Sequence, residues 1–394
     1  MGEVPAGLPL AWVGGAFHPE AEAGLTLEAW QGWPAAELWV PAELLHEGPA
    51  GSGWVGQAAS QAGDEGVVRR ELNRRATAWA VREEAETPGA ETPRAETPRA
   101  ETPGSSAGGA AALDARDLPA RDEWLARCEE ARARLDGDLR KLVLARARRL
   151  TRASGPAFDP FAALARLAAR EPDATLFAWS RGDACFLGAT PETLLEVAGG
   201  ALTTHALAGT AARGAPAEDA ARGAALLACA KTQREHGLVV AGVLAALADD
   251  VRWEDAAVPG PEVRALGGVL HLETPLRGAL RPGAGALDLV ERLHPTPALG
   301  GDPAPAAREW LARREGLARG WYGGPLGWIA REGDARLVVA IRSALVRGHE
   351  AWAYAGAGIV PASDPVVEWD ETELKLRPAA ETLSAQAAAG GGGA

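Results

Sequence analysis

Lysine is nearly absent from this chain of 394 residues. Lys141, Lys231 and Lys375 are the three lysines among 40 basic residues, and arginine supplies the others. Lysine differs from arginine in being compact and in being able to lose its proton when it is removed from water. Either the three lysines remain by chance or they mark positions where arginine cannot function. We therefore treat them as candidate functional residues.

Cysteine is also scarce, and Cys128, Cys185 and Cys229 are scattered without the CxxC spacing of a zinc site. Such cysteines do not predict a disulfide framework and are typical of a reducing compartment. The N-terminus has no cationic signal-peptide region, and no apolar run reaches the length of a membrane span. The sequence therefore predicts a cytoplasmic protein with no membrane partner.

Positive charge is in deficit, and the net charge of −13 argues against a general nucleic-acid-binding surface. We expect no nucleic-acid partner. A small anionic substrate is still possible, because a cationic pocket can lie inside an acidic protein. The chain is 47% hydrophobic and long enough to bury a large core.

One segment departs from globular composition. Residues 85–104 consist of four AETP units, each closed by glycine or arginine, and the proline in every unit prevents a helix. The composition therefore predicts a flexible surface insertion. The predicted organisation is an N-terminal strand region of the same domain (1–83), the insertion (84–112), a catalytic core (113–380) and a disordered tail (381–394).

The stretch 353–375 combines a glycine-containing strand with an acidic helix. Gly356 and Gly358 allow close backbone approach, and Ser363 or Asp364 can cap a helix that begins at Pro365. On that helix three charged side chains recur at i, i+3 and i+7, which places them on one face: Glu368, Glu371 and Lys375. Two carboxylates and an ammonium are suited to bind a hard cation together with an anionic ligand. Alternatively, the three side chains form an ordinary solvated face of the helix.

Hydrophobic periodicity predicts the remaining elements. One helix is expected through residues 224–250, with Glu235 and His236 on it. Its buried side is predicted at Val240, Val243, Leu244 and Leu247. Three consecutive strands near the C-terminus are expected to form a meander: WYGGPLGWIA, RLVVAIRSALV and AWAYAGAGIV. Strands that occur in groups between long helices favour an α+β fold with antiparallel sheets.

Eight motifs occur in one order between residues 141 and 375. They are KLVLAR (141–146), GATPETLL (188–195), LAGTAARG (207–214), KTQREHGLV (231–239), HPTPALGG (294–301), WYGGPLGW (321–328), IRSAL (341–345) and YAGAGIVPASDPVVEWDETELK (354–375). The set resembles the chorismate-utilising enzymes, among them isochorismate synthase, salicylate synthase and the large chains of anthranilate and aminodeoxychorismate synthase. The resemblance implies a large two-sheet α/β sandwich, antiparallel-rich and flanked by helices, with the site between the sheets and a requirement for Mg²⁺.

The resemblance also implies roles for individual residues. Lys141 corresponds to the general base and Glu192 to the general acid. The Mg²⁺ ligands correspond to Glu235 and Glu371, with Glu368 as a supporting carboxylate. The residues implied to contact substrate are Gly209, Thr210 and His271 around the ring, and Tyr322, Arg342, the Gly356 backbone and Lys375 at the enolpyruvyl carboxylate.

Within the family, two positions favour water as the nucleophile. Enzymes that add ammonia typically lack the lysine found here as Lys141, and aminodeoxychorismate synthases typically carry a nucleophilic lysine where this chain has Ala208. Ala298 and Leu299 resemble the synthases that stop at isochorismate. The resemblance thus implies an isochorismate synthase, of the menaquinone or the siderophore pathway. The alternatives are a salicylate synthase and a degenerate chorismate-binding protein.

Three departures from the family pattern qualify the resemblance. Ala206 replaces a usual proline, and Thr232 replaces an acidic or amide residue ahead of Glu235. Family members also carry further sequence before the strand at 14–17, so we expect a shortened N-terminus that leaves sheet edges exposed. Since no ammonia is used, we expect no glutamine amidotransferase subunit, and we expect a monomer.

Overall fold

The computed structural model describes residues 9–17, 25–39, 43–48, 51–56, 113–135, 137–254, 259–266, 268–330 and 332–389. These residues form two large antiparallel sheets with α-helices, which confirms the predicted α+β fold. The predicted insertion at 84–112 lies outside the described residues. The division of the chain into domains stays a prediction.

The first sheet contains nine strands. They are β1 (Pro9–Gly15), β2 (Ala36–Trp39), β9 (Thr193–Ala198), β10 (Ala201–Ala212), β11 (Val251–Trp253), β12 (Glu262–Leu266), β13 (Val269–Leu280), β15 (Pro325–Ala330) and β16 (Ala335–Val339). Their order is β11-β13-β10-β9-β16-β15-β1-β2, and β12 also pairs with β13. The register of β10 against β13 shifts between Ala208 and Thr210, so the strand bulges at Gly209.

The second sheet contains seven strands. They are β5 (Leu113–Leu118), β6 (Lys141–Arg152), β7 (Thr175–Arg181), β8 (Ala184–Thr190), β14 (Gly301–Asp302), β17 (Ser343–Arg347) and β18 (Glu350–Ile359). Their order is β14-β6-β18-β17-β8-β7, with β5 also on β6. A separate hairpin joins β3 (Glu43–Gly48) to β4 (Gly51–Gly56). The central strand β6 is twice the length of the short strand that the KLVLAR motif predicted.

Seven α-helices occur among the described residues. They are α1 (Arg121–Arg134), α2 (Pro160–Arg170), α3 (Pro216–Ala228), α4 (Ala230–Ala246), α5 (Ala286–Leu293), α6 (Ala304–Arg314) and α7 (Pro365–Ala389). A short 3-10 helix covers Leu27–Trp30. No helix in these described ranges has both the length and the apolar composition needed to cross a membrane.

The single helix predicted through residues 224–250 is wrong. Cys229 has extended backbone and separates α3 from α4. The buried side of α4 is also rotated by part of a turn from the prediction, because Val239, Val243 and Leu247 are buried whereas Val240 and Leu244 are half-buried. Apolar residues occur on both sides of that stripe, so periodicity alone could not fix its centre.

The predicted C-terminal meander is also wrong. RLVVAIRSALV forms two strands, since β16 lies in the first sheet and β17 in the second. The chain crosses between the sheets at residues 340–342, where Arg342 has a left-handed φ of 52°. A second crossing, from β8 to β9, passes through Thr190, Pro191 and Glu192. An apolar pattern does not record a change of sheet, and both crossings carry predicted site residues.

Helix α7 begins where the sequence predicted. The Asp364 carboxylate accepts the backbone N–H of Val366 at 2.8 Å, which caps the first turn. Leu376, Ala379 and Leu383 are buried against the second sheet. The helix continues to Ala389, so the predicted boundary of a tail at residue 380 falls inside it.

Candidate active site

A pocket of about 720 Å³, including its open mouth, lies between the two sheets. Both sheets and helices α4 and α7 contribute to its walls. Of the fourteen predicted site residues, thirteen line it: Lys141, Glu192, Gly209, Thr210, Glu235, His271, Ala298, Leu299, Tyr322, Arg342, Gly356, Glu371 and Lys375. Glu368 lies behind this lining. The structure thus brings together residues spread over more than 230 positions, and their individual roles stay predictions.

Lys141 is the first residue of β6, and its side chain is 1% exposed. Its ammonium lies 2.9 Å from Oε1 of Glu235, which projects from α4. Burial disfavours the Glu235 carboxylate, but the charges of Lys141 and Lys375 outweigh that effect and hold the pKa of Glu235 below its ordinary value. Lys141 and Glu235 thus form a buried ion pair in the pocket.

Glu192 lies at the crossing from β8 to β9 and is buried. Burial raises the pKa of Glu192 to about 7, although the charges of Lys375, Lys141 and Arg342 act in the opposite direction. A carboxyl group with this pKa is partly protonated at neutral pH. Glu192 can therefore donate a proton, as general acid catalysis requires.

Arg342 and His271 meet at the wall of the pocket. One guanidinium nitrogen of Arg342 lies 3.2 Å from Nε2 of His271, and Nδ1 of His271 lies 3.1 Å from the carbonyl oxygen of Gly209. A guanidinium only donates, so Nε2 accepts and Nδ1–H donates to Gly209. Burial, with the charges of Arg342 and Lys375, holds the pKa of His271 well below its ordinary value. His271 is therefore a neutral side chain that orients Arg342.

Lys375 joins α7 to the glycine strand β18. Its ammonium donates to the carbonyl oxygen of Gly356 at 2.9 Å and to Oε1 of Glu371 at 2.6 Å. Tyr322 forms the adjacent wall and stacks on Tyr354 with ring centroids 5.3 Å apart. Lys375, Tyr322 and Arg342 therefore present two cations and a hydroxyl to one pocket.

Each of the three lysines pairs with one of the three predicted metal carboxylates. Besides the pairs of Lys141 and Lys375, Lys231 donates to Glu368, which is 2% exposed. No group of three His, Cys, Asp or Glu side chains among the described residues is already arranged around a common metal position. Glu235 and Glu371 nevertheless offer carboxylate oxygens to the same pocket, and oxygen ligands suit a hard cation such as Mg²⁺.

The sequence analysis missed Arg319, which also lines the pocket and is 3% exposed. Its guanidinium donates to Oε2 of Glu315 at 2.8 Å, to the Leu299 carbonyl at 3.0 Å and to the Val143 carbonyl at 2.6 Å. It thereby fixes two backbone segments of the wall. The only sequence signal was the i, i+4 spacing of Glu315 and Arg319, which is common on helix surfaces.

Comparison with known proteins places these features in context. The model of the family described as "Chorismate binding enzyme" matches residues 3–384. The salicylate biosynthesis isochorismate synthase of Pseudomonas aeruginosa is 44% identical over 266 residues, which cover 67% of this chain and 55% of that protein. The isochorismate synthase MenF of Bacillus subtilis is 37% identical over 267 residues, covering 67% and 56%.

A solved structure extends the similarity over more of the chain. The menaquinone-specific isochorismate synthase MenF of Escherichia coli superimposes with a TM-score of 0.72 at 26% identity, covering 95% of this chain and 78% of that one. The aligned regions span only about half the length of the two curated relatives.

Proposed function

Because the chain belongs to the family of chorismate-binding enzymes, we propose that it is an isochorismate synthase, which converts chorismate into isochorismate. The observation that carries the proposal is the position of Lys141 and Glu192 in one pocket, where one can remove a proton and the other can supply one. The names of the P. aeruginosa, B. subtilis and E. coli relatives support the same reaction.

The charge of the pocket fits the substrate. Chorismate is a dianion, and carboxylates are bound well by charge-assisted hydrogen bonds from buried cations. Arg342 and Lys375 supply two such cations inside a protein whose net charge is −13. His271 and Gly356 limit where these cations can point, because His271 accepts from Arg342 and the Gly356 carbonyl accepts from Lys375.

The chemistry requires one proton to be removed and one to be delivered. Lys141 acts as the base after its ammonium has released a proton: the neutral amine takes a proton from water as the water oxygen bonds to C2 of the ring. Both ring double bonds shift, from C1=C2 to C1=C6 and from C5=C6 to C4=C5, and the C4–O bond breaks. Glu192 gives its proton to the departing hydroxyl, which leaves as water. One water enters and one leaves, so the net reaction is an isomerisation.

Mg²⁺ is the proposed cofactor, and Glu235 and Glu371 are the residues that would hold it. A bound Mg²⁺ supplies positive charge that neutralises a substrate carboxylate. Glu235 and Glu371 each lie within salt-bridge distance of a lysine ammonium, and both line the pocket. Arginine would be a poor replacement for Lys141, because a base must be able to lose its proton.

The test is to incubate the purified chain with chorismate and Mg²⁺ and to separate the products by chromatography. We expect isochorismate from the wild type and its loss in Lys141→Ala, without added ammonia or an amidotransferase subunit. Salicylate and pyruvate would instead identify a salicylate synthase. A folded chain with no turnover would contradict the proposal and support a degenerate chorismate-binding protein. A requirement for ammonia would contradict water as the nucleophile.

A further inference from the structure

We propose that Lys231 is a positioning residue, which orients Glu368 and ties together the two helices that carry the cation ligands. This inference rests on the proposed function, because it concerns the same Mg²⁺ site. Lys231 is the lysine for which the reaction supplies no role. It does not line the pocket, and neither does Glu368.

The location of the ion pair suggests what it does. Lys231 lies one turn before Glu235 on α4, and Glu368 lies nearly one turn before Glu371 on α7. The ammonium of Lys231 donates to Oε1 of Glu368 across the gap between the helices. The pair therefore connects α4 to α7 one turn away from each proposed ligand.

Glu368 has a second polar neighbour. The Ser363 hydroxyl favours the charged form of the Glu368 carboxylate, and its oxygen accepts the N–H of Val360 at 3.1 Å. Glu368 is 2% exposed, so water cannot replace a lost donor. Without Lys231 the carboxylate loses its ammonium donor and can turn near Glu371, whose negative charge repels it.

Partners that orient metal ligands typically change metal affinity about 10- to 100-fold when they are removed. Lys231 does not contact the proposed ligands and acts through Glu368. We therefore expect its removal to change Mg²⁺ affinity by a factor near the lower end of this range. The alternative is that Lys231 competes with the cation for Glu368. These two roles predict opposite changes in Mg²⁺ affinity when Lys231 is replaced.

The experiment measures Mg²⁺ binding to the full chain by titration calorimetry in the absence of chorismate. We expect Lys231→Met and Glu368→Gln each to weaken Mg²⁺ binding about tenfold, and the double variant to be no weaker than either single variant. In assays, the KM for Mg²⁺ should rise in Lys231→Met, whereas kcat at saturating Mg²⁺ should be retained.

Arg170→Met is the matched control. Arg170 on α2 also donates to a glutamate of α7, Glu381, at 2.6 Å, but this pair is exposed and distant along the helix from Glu371. Its loss should leave Mg²⁺ binding unchanged. If thermal unfolding shows that Lys231→Met does not fold, Lys231→Arg replaces it. We expect Lys231→Arg also to weaken Mg²⁺ binding.

Unchanged or tighter Mg²⁺ binding in Lys231→Met would overturn the proposal. A double variant whose loss of Mg²⁺ affinity is the sum of the losses in Lys231→Met and Glu368→Gln would also overturn it. A wild-type chain that makes isochorismate but binds no Mg²⁺ would also overturn it, and would leave the isomerase activity standing. Failure of the wild type to turn over chorismate in the presence of Mg²⁺ would overturn the proposed function itself.

Discussion

Gly358 faces Glu235 at a distance that leaves no room for a side chain. A Cβ on Gly358 would lie 2.3 Å from Oε1 of Glu235 and 3.1 Å from Cε of Lys141. Real contacts of a Cβ atom are not this short, so a residue larger than glycine must displace the buried Lys141–Glu235 ion pair. The glycine strand β18 therefore gives space to the charged groups of the pocket.

We predict that Gly358→Ala lowers activity far more than stability. The added methyl group must push the Glu235 carboxylate aside, and a displacement of about 1 Å in an active site can cost about 100-fold in rate. Steady-state kinetics and thermal unfolding of the same preparation measure the two effects. Near-normal kcat and KM values would show that Glu235 moves without consequence.

Gly237 provides the matched control for this substitution. It lies on α4 two residues from Glu235, and no neighbouring atom comes within 4 Å of a Cβ built there. Gly237→Ala should stabilise the protein by about 0.5–1 kcal/mol, because alanine favours the helix. Its activity should be unchanged, and a loss of stability would contradict the helical assignment of this position.

The pH dependence of activity should report on Glu192. Its pKa of about 7 predicts that kcat/KM falls as the pH rises through 7, because the acid becomes ionised. In Glu192→Gln we expect a loss of about 10²- to 10⁴-fold and the disappearance of this alkaline limb. A variant that retains the limb would assign it to another group.

Glu192 should also make stability depend on pH. Its folded-state pKa is raised from the ordinary value of 4.5 to about 7, so the folded state binds the proton more tightly than the unfolded state. This protonation contributes about 3 kcal/mol to the free energy of unfolding. The contribution is fully present below pH 4.5 and is lost as the pH rises through 7. Denaturant unfolding at pH 5 and 8 should show a smaller difference for Glu192→Gln than for the wild type. Equal differences would contradict the raised pKa.

Arg146 anchors α7 on the face of β6 opposite Lys141. Its guanidinium is fully buried, donates to the Thr372 hydroxyl at 2.6 Å and to Asp117 at 2.8 Å, and lies 3.7 Å from the ring centroid of Trp369. Thr372 directly follows Glu371 in the chain. Arg146 thus helps to set the position of Glu371, a proposed cation ligand, from the face of β6 opposite Lys141.

Arg146→Met should therefore destabilise the fold by about 1–3 kcal/mol, because it removes the hydrogen bond to the buried Thr372 hydroxyl and the guanidinium over the Trp369 ring, while Asp117 and Glu373 keep Arg148 as a partner. Arg148 is the control, since it shares Asp117 and Glu373 with Arg146 but is partly exposed, and the guanidinium that lies over the Trp369 ring is that of Arg146. Arg148→Met should cost about 1 kcal/mol. Urea unfolding of both variants measures the contrast, and equal losses would contradict the anchoring role of Arg146.

Local chemistry made part of the site predictable. The Asp364 cap and the spacing of Glu368, Glu371 and Lys375 depend only on neighbouring residues, and the structure confirms the predicted helix start at Pro365. The scarcity of lysine also singled out Lys141 and Lys375, which line the pocket, although it could not say that each lysine would meet a glutamate. Those partners are up to 137 residues apart, and sequence periodicity carries no information over such separations.

The sequence by itself determined the antiparallel α+β class, because strands occur in groups between helices. The order of its motifs carried the family resemblance, and that resemblance implied the thirteen residues that line the pocket. Only the tertiary structure decided where the chain changes sheets, how Arg342 enters the pocket and why Arg319, Arg146 and Lys231 matter. Strand pairing across the sheets and burial of charged groups depend on the whole packed chain, and they placed Glu192 in an environment that raises its pKa.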